Sequence, residues 1–184
     1  MGTSSLRRAC QLKHWRKDLH IVSIRGNVQT RLAKLEAGEA DATLLAAAGL
    51  ARLGMGDLGA PLDPTIWLPA SAQGAIAIEC RSNDHATRKL LASIDHTPSR
   101  AQVMAERSLL AGLGGSCHSP VAVLCTGGEG LLAMRAALFS EDGRERVEGE
   151  ASFLAGDADG PAKLAAELLS RAPPSIAALF LGGA

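Results

Sequence analysis

The segment VAVLCTGGEGLLAMRAALFSEDGRERVEGEASF, residues 121–153, decides the fold of the second half of the chain. Its apolar residues recur at a spacing of about two, which is typical of half-buried strands. We predict strands over 121–125, 131–139 and 146–153. A tight turn around Asp142-Gly143 joins the last two strands, so they are expected to form a hairpin.

Helical patterns flank this segment on both sides. The pattern over 98–113 ends at Gly114-Gly115, and the pattern over 162–171 stops before Pro173-Pro174. We therefore predict that residues 97–184 form a small α+β domain with a three-stranded sheet covered by helices.

The first third of the chain alternates helical and extended patterns. Thr3-Ser4-Ser5 resembles a helix start, and the Gly26-Asn27 turn precedes a second helix. This βα rhythm predicts an α/β domain over residues 1–66. Its elements are helices over 6–15 and 28–35 and short strands over 21–24 and 42–47, the last as a buried parallel strand.

A proline-rich stretch marks the boundary between the two domains. Three prolines between residues 61 and 69 punctuate it, and a strand over 75–79 and a helix over 84–94 are predicted to follow. We therefore interpret residues 67–96 as a segment that crosses between domains.

The composition is that of an ordinary globular protein of 184 residues, 47% hydrophobic and 21% charged. Aromatic residues make up only 3%, with no Tyr, which argues against the base-stacking surfaces that bind single-stranded nucleic acid. No apolar run reaches the ~18 residues of a membrane span, and the sequence does not open with the apolar core of a signal peptide. We therefore expect a cytoplasmic protein that binds neither nucleic acid nor membrane.

The four cysteines are Cys10, Cys80, Cys117 and Cys125. They form no C-x-x-C pair and no zinc-type Cys/His spacing, so neither a metal site nor a disulfide framework is predicted. We expect free thiols, of which one could be used chemically.

Positive charge is concentrated at the start of the chain. Residues 1–55 hold nine Lys or Arg against four Asp or Glu, although the net charge of the whole chain is zero. This local excess is small for a nucleic-acid surface but suits a small polyanion such as a polycarboxylate.

Arginines occupy helix starts, where the helix dipole disfavours them. Arg7 and Arg8 follow the Ser4-Ser5 cap, Arg31 lies one turn beyond Asn27, and Arg25 precedes that turn. Either these arginines are solvated surface charges, or an anion binds at these helix starts. The sequence has no G-x-x-x-x-G-K-[ST] loop, so a carboxylate ligand is favoured over a nucleotide phosphate.

Five motifs, in order along the chain, resemble the porphobilinogen deaminase family. They are G-T-S-S-L-R-R (2–8), I-R-G-N-V-x-T-R-L (24–32), A-G-L-x-R-L-G (48–54), L-P-A-x-x-Q-G-A-x-x-I-E-C-R (68–81) and A-E-R-x-L-x-x-x-L-G-G-x-C-x-x-P (105–120).

The resemblance implies hydroxymethylbilane synthase activity, a transferase reaction of tetrapyrrole and haem biosynthesis. Four porphobilinogens condense with loss of ammonia on a monomeric enzyme that carries a covalent dipyrromethane cofactor. By its place in the last motif, Cys117 is the expected thioether attachment. A thiolate is a suitable nucleophile towards the electrophile that porphobilinogen becomes when ammonia leaves.

The resemblance also implies which residues bind the acidic side chains of the pyrroles. It further implies that the first domain resembles one lobe of a periplasmic-binding-protein-like fold. The expected cofactor ligands besides Cys117 are Thr3, Ser5, Arg7, Arg8, Arg25 and Arg31, and the expected substrate-binding residues are Gly49, Arg52 and Gln73.

The chain departs from the family pattern at its start. The family enzyme has three domains, and the first contributes a catalytic aspartate for which the chain has no matching motif. We therefore expect an N-terminal half to be missing, through a fragment, a misassigned start or a split enzyme, and the chain to be inactive alone. Residues 75–81 would then be a strand without its parent sheet.

Two other functions remain open from the residues. The chain could be a binding module that captures small polycarboxylates without chemistry, or a structural protein. Cys117 in its Gly-Gly loop favours the enzyme, because a binding module has no need of a thiol there. A structural role would leave the arginines unexplained.

Overall fold

The computed structural model describes residues 1–128 and 130–180. Helices fill the first part of the chain, and the strands follow as one consecutive set. The elements are α1 (Leu6–Trp15), α2 (Val28–Glu36), α3 (Ala47–Arg52), α4 (His85–Ala92), α5 (Thr97–Gly112), β1 (Val121–Gly127), β2 (Leu131–Phe139), β3 (Arg146–Leu154), α6 (Asp159–Arg171) and α7 (Pro174–Ala177).

The three strands form an antiparallel sheet in the order β1-β2-β3, as the sequence predicts. Met134 pairs with Cys125 on one side and Ala151 on the other, so β2 is the central strand. Gly143 adopts a φ of 71° in the turn between β2 and β3. Residues of β2 alternate between the two faces of the sheet. One face is buried along the whole strand, whereas the other is buried only at Ala137 and Phe139.

One face of the sheet packs against α5 and α6. Leu109 of α5 and Leu164 and Leu168 of α6 are buried with Met134 and Leu138 of β2 in the largest apolar cluster. Helices on one side of an antiparallel sheet make the predicted α+β domain core. Both covering helices were predicted, and α6 begins three residues earlier than expected, at Asp159.

The opposite face of the sheet receives α1. Cys10 of α1 and Leu68 pack with Ala122, Ala137 and Phe139 in a second apolar cluster. The alanines in β1 and β2 leave room for a helix to approach the sheet closely. This contact places α1, whose first turn carries Arg7 and Arg8, beside the antiparallel sheet.

The two strands predicted in the first third are wrong as regular strands. Gly2 makes single parallel bridges to Val22 and Thr43, and α3 already begins at Ala47. The Gly2 N–H donates to the Ala42 carbonyl at 2.7 Å. The parallel direction predicted for residues 42–47 is right, but Gly2 forms a single bridge to each neighbour and no ladder.

The strand predicted over 75–79 is also wrong. These residues run without a ladder in the described structure, and Ile76 and Ile78 are 72% and 56% exposed. The pattern is that of a buried strand, but the described residues supply no neighbouring strand. The following helix is α4, which starts at the N-cap Asp84 as predicted.

None of the helices in residues 1–128 and 130–180 combines the length and apolarity needed to cross a membrane.

Candidate functional site

The starts of α1 and α2 carry the arginine cluster. Ser5 caps α1, its hydroxyl accepting from the Arg8 N–H at 3.4 Å, and Asn27 caps α2, its side chain accepting from the Thr30 N–H at 2.9 Å. Neither helix has an acidic residue in its first turn. The helix starts predicted at Thr3-Ser4-Ser5 and after the Gly26-Asn27 turn are thus confirmed. No side-chain anion within the first turns offsets the positive end of either helix.

Arg7 is buried, with 6% of its surface exposed. Its Nη1 donates to the Leu68 carbonyl at 2.9 Å and its Nη2 to Gln73 Oε1 at 3.3 Å. Burial, followed by the charge of Arg8, lowers the pKa of Arg7 to about 10. Arg7 therefore connects α1 to the crossing segment as well as contributing charge.

Arg8 and Arg31 extend this charge outward. Arg8 Nη1 donates to the Leu44 carbonyl at 2.7 Å, and Arg31 Nε donates to the Gly26 carbonyl at 2.9 Å. Burial, followed by the charge of Arg31, lowers the pKa of Arg8. The two arginines are thus close enough for their charges to repel.

No carboxylate of the described residues forms an ion pair within 4.0 Å of Arg7, Arg8 or Arg31. A partly buried cluster of like charges without counter-charge is unfavourable unless an anion joins it. The cluster therefore has the chemistry of a site for a carboxylate or another small anion.

A cavity of about 290 Å³ opens beside the cluster. Arg7, Arg8 and Gln73 supply polar groups, while Leu62 and Trp67 are among its apolar lining residues. Such a mixture suits a flat apolar ring that carries acidic side chains. Trp67 is itself supported by an edge-to-face contact with Trp15 of α1, with the ring centroids 5.8 Å apart.

The other predicted ligands do not line this cavity. Thr3 is buried, and its hydroxyl accepts from the Ser5 N–H at 3.2 Å, so both residues shape the start of α1. Arg25 and Arg52 are exposed, and Gly49 lies within α3. The structure thus brings Arg7, Arg8 and Gln73 into one cavity with Arg31 near Arg8.

Cys117 lies exposed in the loop between α5 and β1. The loop begins at Gly114, with a φ of 65°, and is held by the Ser116 N–H, which donates to Ser119 Oγ at 2.9 Å. Cys117 does not line the arginine cavity. Its thiol is accessible for covalent attachment.

The other three thiols differ in environment. Cys10 and Cys125 are buried, and burial is the main cause that raises the pKa of each to about 11. Cys80 is exposed in the crossing segment. Reactivity of a thiol follows its thiolate fraction and its access, so the two buried cysteines are poorly suited to covalent chemistry.

Glu106 on α5 is a buried acid that was not predicted as a site residue from the sequence. Its Oε2 accepts from the Ala72 N–H at 2.6 Å and its Oε1 from the Cys125 N–H at 2.9 Å. Burial raises the pKa of Glu106, although both hydrogen bonds oppose that shift. The available signal was its spacing of three residues from Leu109, which places both on the buried face of α5.

In the described part of the chain, no group of three or more His, Cys, Asp or Glu side chains is arranged to hold a metal ion.

Two sequence models of one family match the chain. The model described as “Porphobilinogen deaminase, dipyromethane cofactor binding domain” matches residues 1–89, and “Porphobilinogen deaminase, C-terminal domain” matches residues 100–171. The chain belongs to the porphobilinogen deaminase family. The first match contains the arginine cluster and the second contains Cys117.

Curated relatives agree with this assignment. The porphobilinogen deaminase of Sphingopyxis alaskensis is 56% identical over 181 residues, which are 98% of this chain and 57% of the relative. That of Xanthomonas oryzae pv. oryzae (strain PXO99A) is 51% identical over 146 residues, 78% of this chain and 48% of the relative. The chain spans about half the length of these curated relatives.

The family match confirms dipyrromethane as the cofactor for which the first matched domain is described. The mixed α/β structure with a three-stranded antiparallel sheet in the second half of the chain is consistent with these family domains. The family match names no cofactor-binding side chains in this porphobilinogen deaminase family member, so these are argued from the geometry of the site.

Proposed function

We propose that this chain is the cofactor- and substrate-binding part of a hydroxymethylbilane synthase, a transferase that condenses four porphobilinogens and releases ammonia. The observation that carries the proposal is the arginine cluster without counter-charge beside a cavity with apolar lining. Porphobilinogen and its linear products are pyrroles with acidic side chains, so they match both features of the site.

The donor set fits a dipyrromethane. Arg7, Arg8 and Arg31 offer fixed cationic donors to its carboxylates, and the apolar lining offers contact area to its rings. Cys117 is the proposed point of thioether attachment. When bound, the cofactor supplies the pyrrole end to which further porphobilinogens are joined.

The remaining residues are proposed in roles that follow from their places. Thr3 and Ser5 build the capped start of α1, and they are proposed to contact the cofactor there, where the helix N-terminus favours an anion. Arg25 is a further proposed contact to the cofactor. Gly49, Arg52 and Gln73 are proposed to contact substrate, with Gln73 already in the cavity lining.

The proposed domains are those expected from the sequence. Residues 1–66 form the central domain, proposed as one lobe of a periplasmic-binding-protein-like fold, 67–96 the crossing segment, and 97–184 the domain with Cys117. The parallel bridges of Gly2 to Val22 and Thr43 support the α/β character of the first domain.

A groove of about 920 Å³ supports a docking role for the crossing segment. Ile76, Ile78, Ile94 and Met104 expose more than half of their surface there. Exposed apolar patches of this kind mark interaction sites. We propose that the region of the family enzyme with the catalytic aspartate packs on this groove, within a monomeric cytoplasmic enzyme.

The competing function is a polycarboxylate-binding module without chemistry. The placement of Cys117 outside the arginine cavity favours it, because that cavity alone would suffice for binding. The two functions differ in whether a pyrrole group becomes covalently attached to this chain.

Intact mass spectrometry tests this difference. The chain is co-expressed with the N-terminal region of the Sphingopyxis alaskensis relative, supplied with porphobilinogen and purified. We expect a dipyrromethane adduct that is lost in Cys117→Ala and retained in Cys80→Ala, since Cys80 is the other exposed thiol. An adduct that survives Cys117→Ala contradicts the proposed attachment, and a chain that binds porphobilinogen but never gains an adduct supports the binding module.

A further inference from the structure

The turn that contains Gln73 has an unusual backbone. Ala72 has a φ of 57°, and it is the single non-glycine residue with positive φ in residues 1–128 and 130–180. The left-handed region is unfavourable for a residue with a Cβ atom. Interactions outside the turn must therefore hold Ala72 in this conformation.

Glu106 provides such an interaction. Its carboxylate accepts one backbone N–H from Ala72 and one from Cys125, at 2.6 and 2.9 Å. Glu106 is 7% exposed, and no Lys, Arg or His of the described residues forms an ion pair with it. A buried carboxylate without a cation is costly, so these two hydrogen bonds define its role.

The 70–74 turn also fixes the side-chain amide of Gln73. Gln73 Oε1 accepts from Arg7 Nη2 at 3.3 Å and from the Ala70 N–H at 3.1 Å. A change at Ala72 would move the adjacent Gln73 and remove a partner from the buried guanidinium. Glu106 thus connects α5, which leads to the Cys117 loop, with the arginine cavity.

We infer that Glu106 is a positioning residue: it holds the 70–74 turn so that Gln73 keeps Arg7 in the wall of the ligand cavity. The inference rests on the proposed function for the identity of the ligand. Its geometric part, from Glu106 through Ala72 and Gln73 to Arg7, is independent of that identity.

Glu106→Gln breaks this connection with a side chain of the same shape. The amide has one acceptor oxygen where the carboxylate has two, so one of the two N–H groups faces an NH₂ group. We expect about tenfold weaker binding of porphobilinogen, measured by calorimetry on the 184-residue chain, together with a lower urea midpoint. Glu167→Gln, the same change at an exposed position of α6, should alter neither.

A second change separates positioning from simple loss of stability. Glycine adopts the left-handed conformation without strain, so adding Ala72→Gly to Glu106→Gln should return porphobilinogen affinity to about that of Ala72→Gly alone. The urea midpoint should stay low, because one of the two N–H groups that Glu106 serves still lacks its acceptor. If Glu106→Gln lowers both affinity and stability, and adding Ala72→Gly does not restore the affinity, the inference is contradicted.

Hydrogen exchange of the Ala72 amide in the ligand-free chain gives a readout that needs no ligand. Protection should be lost in Glu106→Ala, which removes both acceptor oxygens, and kept in Gln73→Ala. The double variant Glu106→Gln with Gln73→Ala should bind porphobilinogen no more weakly than Glu106→Gln alone. Equal protection of Ala72 in wild type and Glu106→Ala overturns the inference. Loss of protection in a chain that binds no porphobilinogen contradicts the proposed function and supports the geometric connection.

Discussion

Residues 97–180, which we call the sheet domain, differ from residues 1–66, which we call the arginine domain, in the side chains that they bury and in the charged groups that they leave unpaired. After Thr97, the two faces of the sheet collect most of the buried apolar side chains. Before it, the described buried apolar residues are Cys10, Leu12, Ile24, Ala40, Leu50 and Leu68, while Arg7 is buried among them.

Stability and binding are therefore expected to reside in different parts of the molecule. The sheet and its covering helices bury most of their apolar side chains against one another, so we expect them to supply most of the stability. The arginine domain retains cationic groups without counter-charge and apolar residues without cover, both of which a ligand or another part of the enzyme can complete. Substitutions in the sheet domain should therefore affect mainly stability, and substitutions of exposed arginines should affect mainly binding.

The largest effect is expected in the sheet core. Leu138→Ala should lower the free energy of unfolding by about 2–5 kcal/mol, because Leu138 is fully buried between the sheet and its helices. Urea unfolding measures this loss. Leu154→Ala, at a position 66% exposed, is the control and should change the free energy by less than about 0.5 kcal/mol. Similar losses for the two variants would contradict the assignment of the core.

The arginine variants should differ in their free energy of unfolding according to how deeply each arginine is buried. Arg7→Leu should lower the free energy of unfolding by about 1–3 kcal/mol, because the Leu68 carbonyl and Gln73 lose a charged donor. Arg8→Leu should change it by less than about 1 kcal/mol, since Arg8 is more exposed. Thermal and urea unfolding of the two variants would show equal effects if Arg7 had no structural role.

A smaller effect is expected from pH. Burial raises the folded-state pKa of Glu106 above its ordinary value of 4.5, so the folded state binds a proton that the unfolded state releases in the window above 4.5. The free energy of unfolding of wild type relative to Glu106→Gln should therefore increase as the pH falls through the raised pKa towards 4.5. Urea unfolding of both proteins across this window measures it. A relative decrease would show that the hydrogen bonds outweigh burial.

The same two domains explain how much the sequence could predict. All three strands after Pro120 were predicted, since each finds a neighbour within the chain and alternates on a packed face. The strands expected over 21–24, 42–47 and 75–79 were wrong as regular strands because a pattern of apolar residues does not supply the neighbour that a ladder needs.

The candidate site was predictable in part. The sequence predicted arginines at the starts of two helices, and the structure places Arg8 close enough to Arg31 for their charges to interact. The buried bonds of Arg7 and the role of Glu106 depend on contacts across 66 and 34 positions of sequence. Such contacts follow from packing, which no local pattern records.

We expect the arginine cavity to bind pyrroles with acidic side chains. Calorimetric titration of the chain with porphobilinogen, comparing wild type with Arg8→Leu and Arg16→Leu, tests it directly. Arg16 is an exposed arginine on the far end of α1 that already pairs with Asp18 at 2.7 Å, so its loss controls for charge alone. We expect Arg8→Leu to weaken binding at least about tenfold and Arg16→Leu to leave it unchanged. Equal affinities for all three proteins would contradict the account.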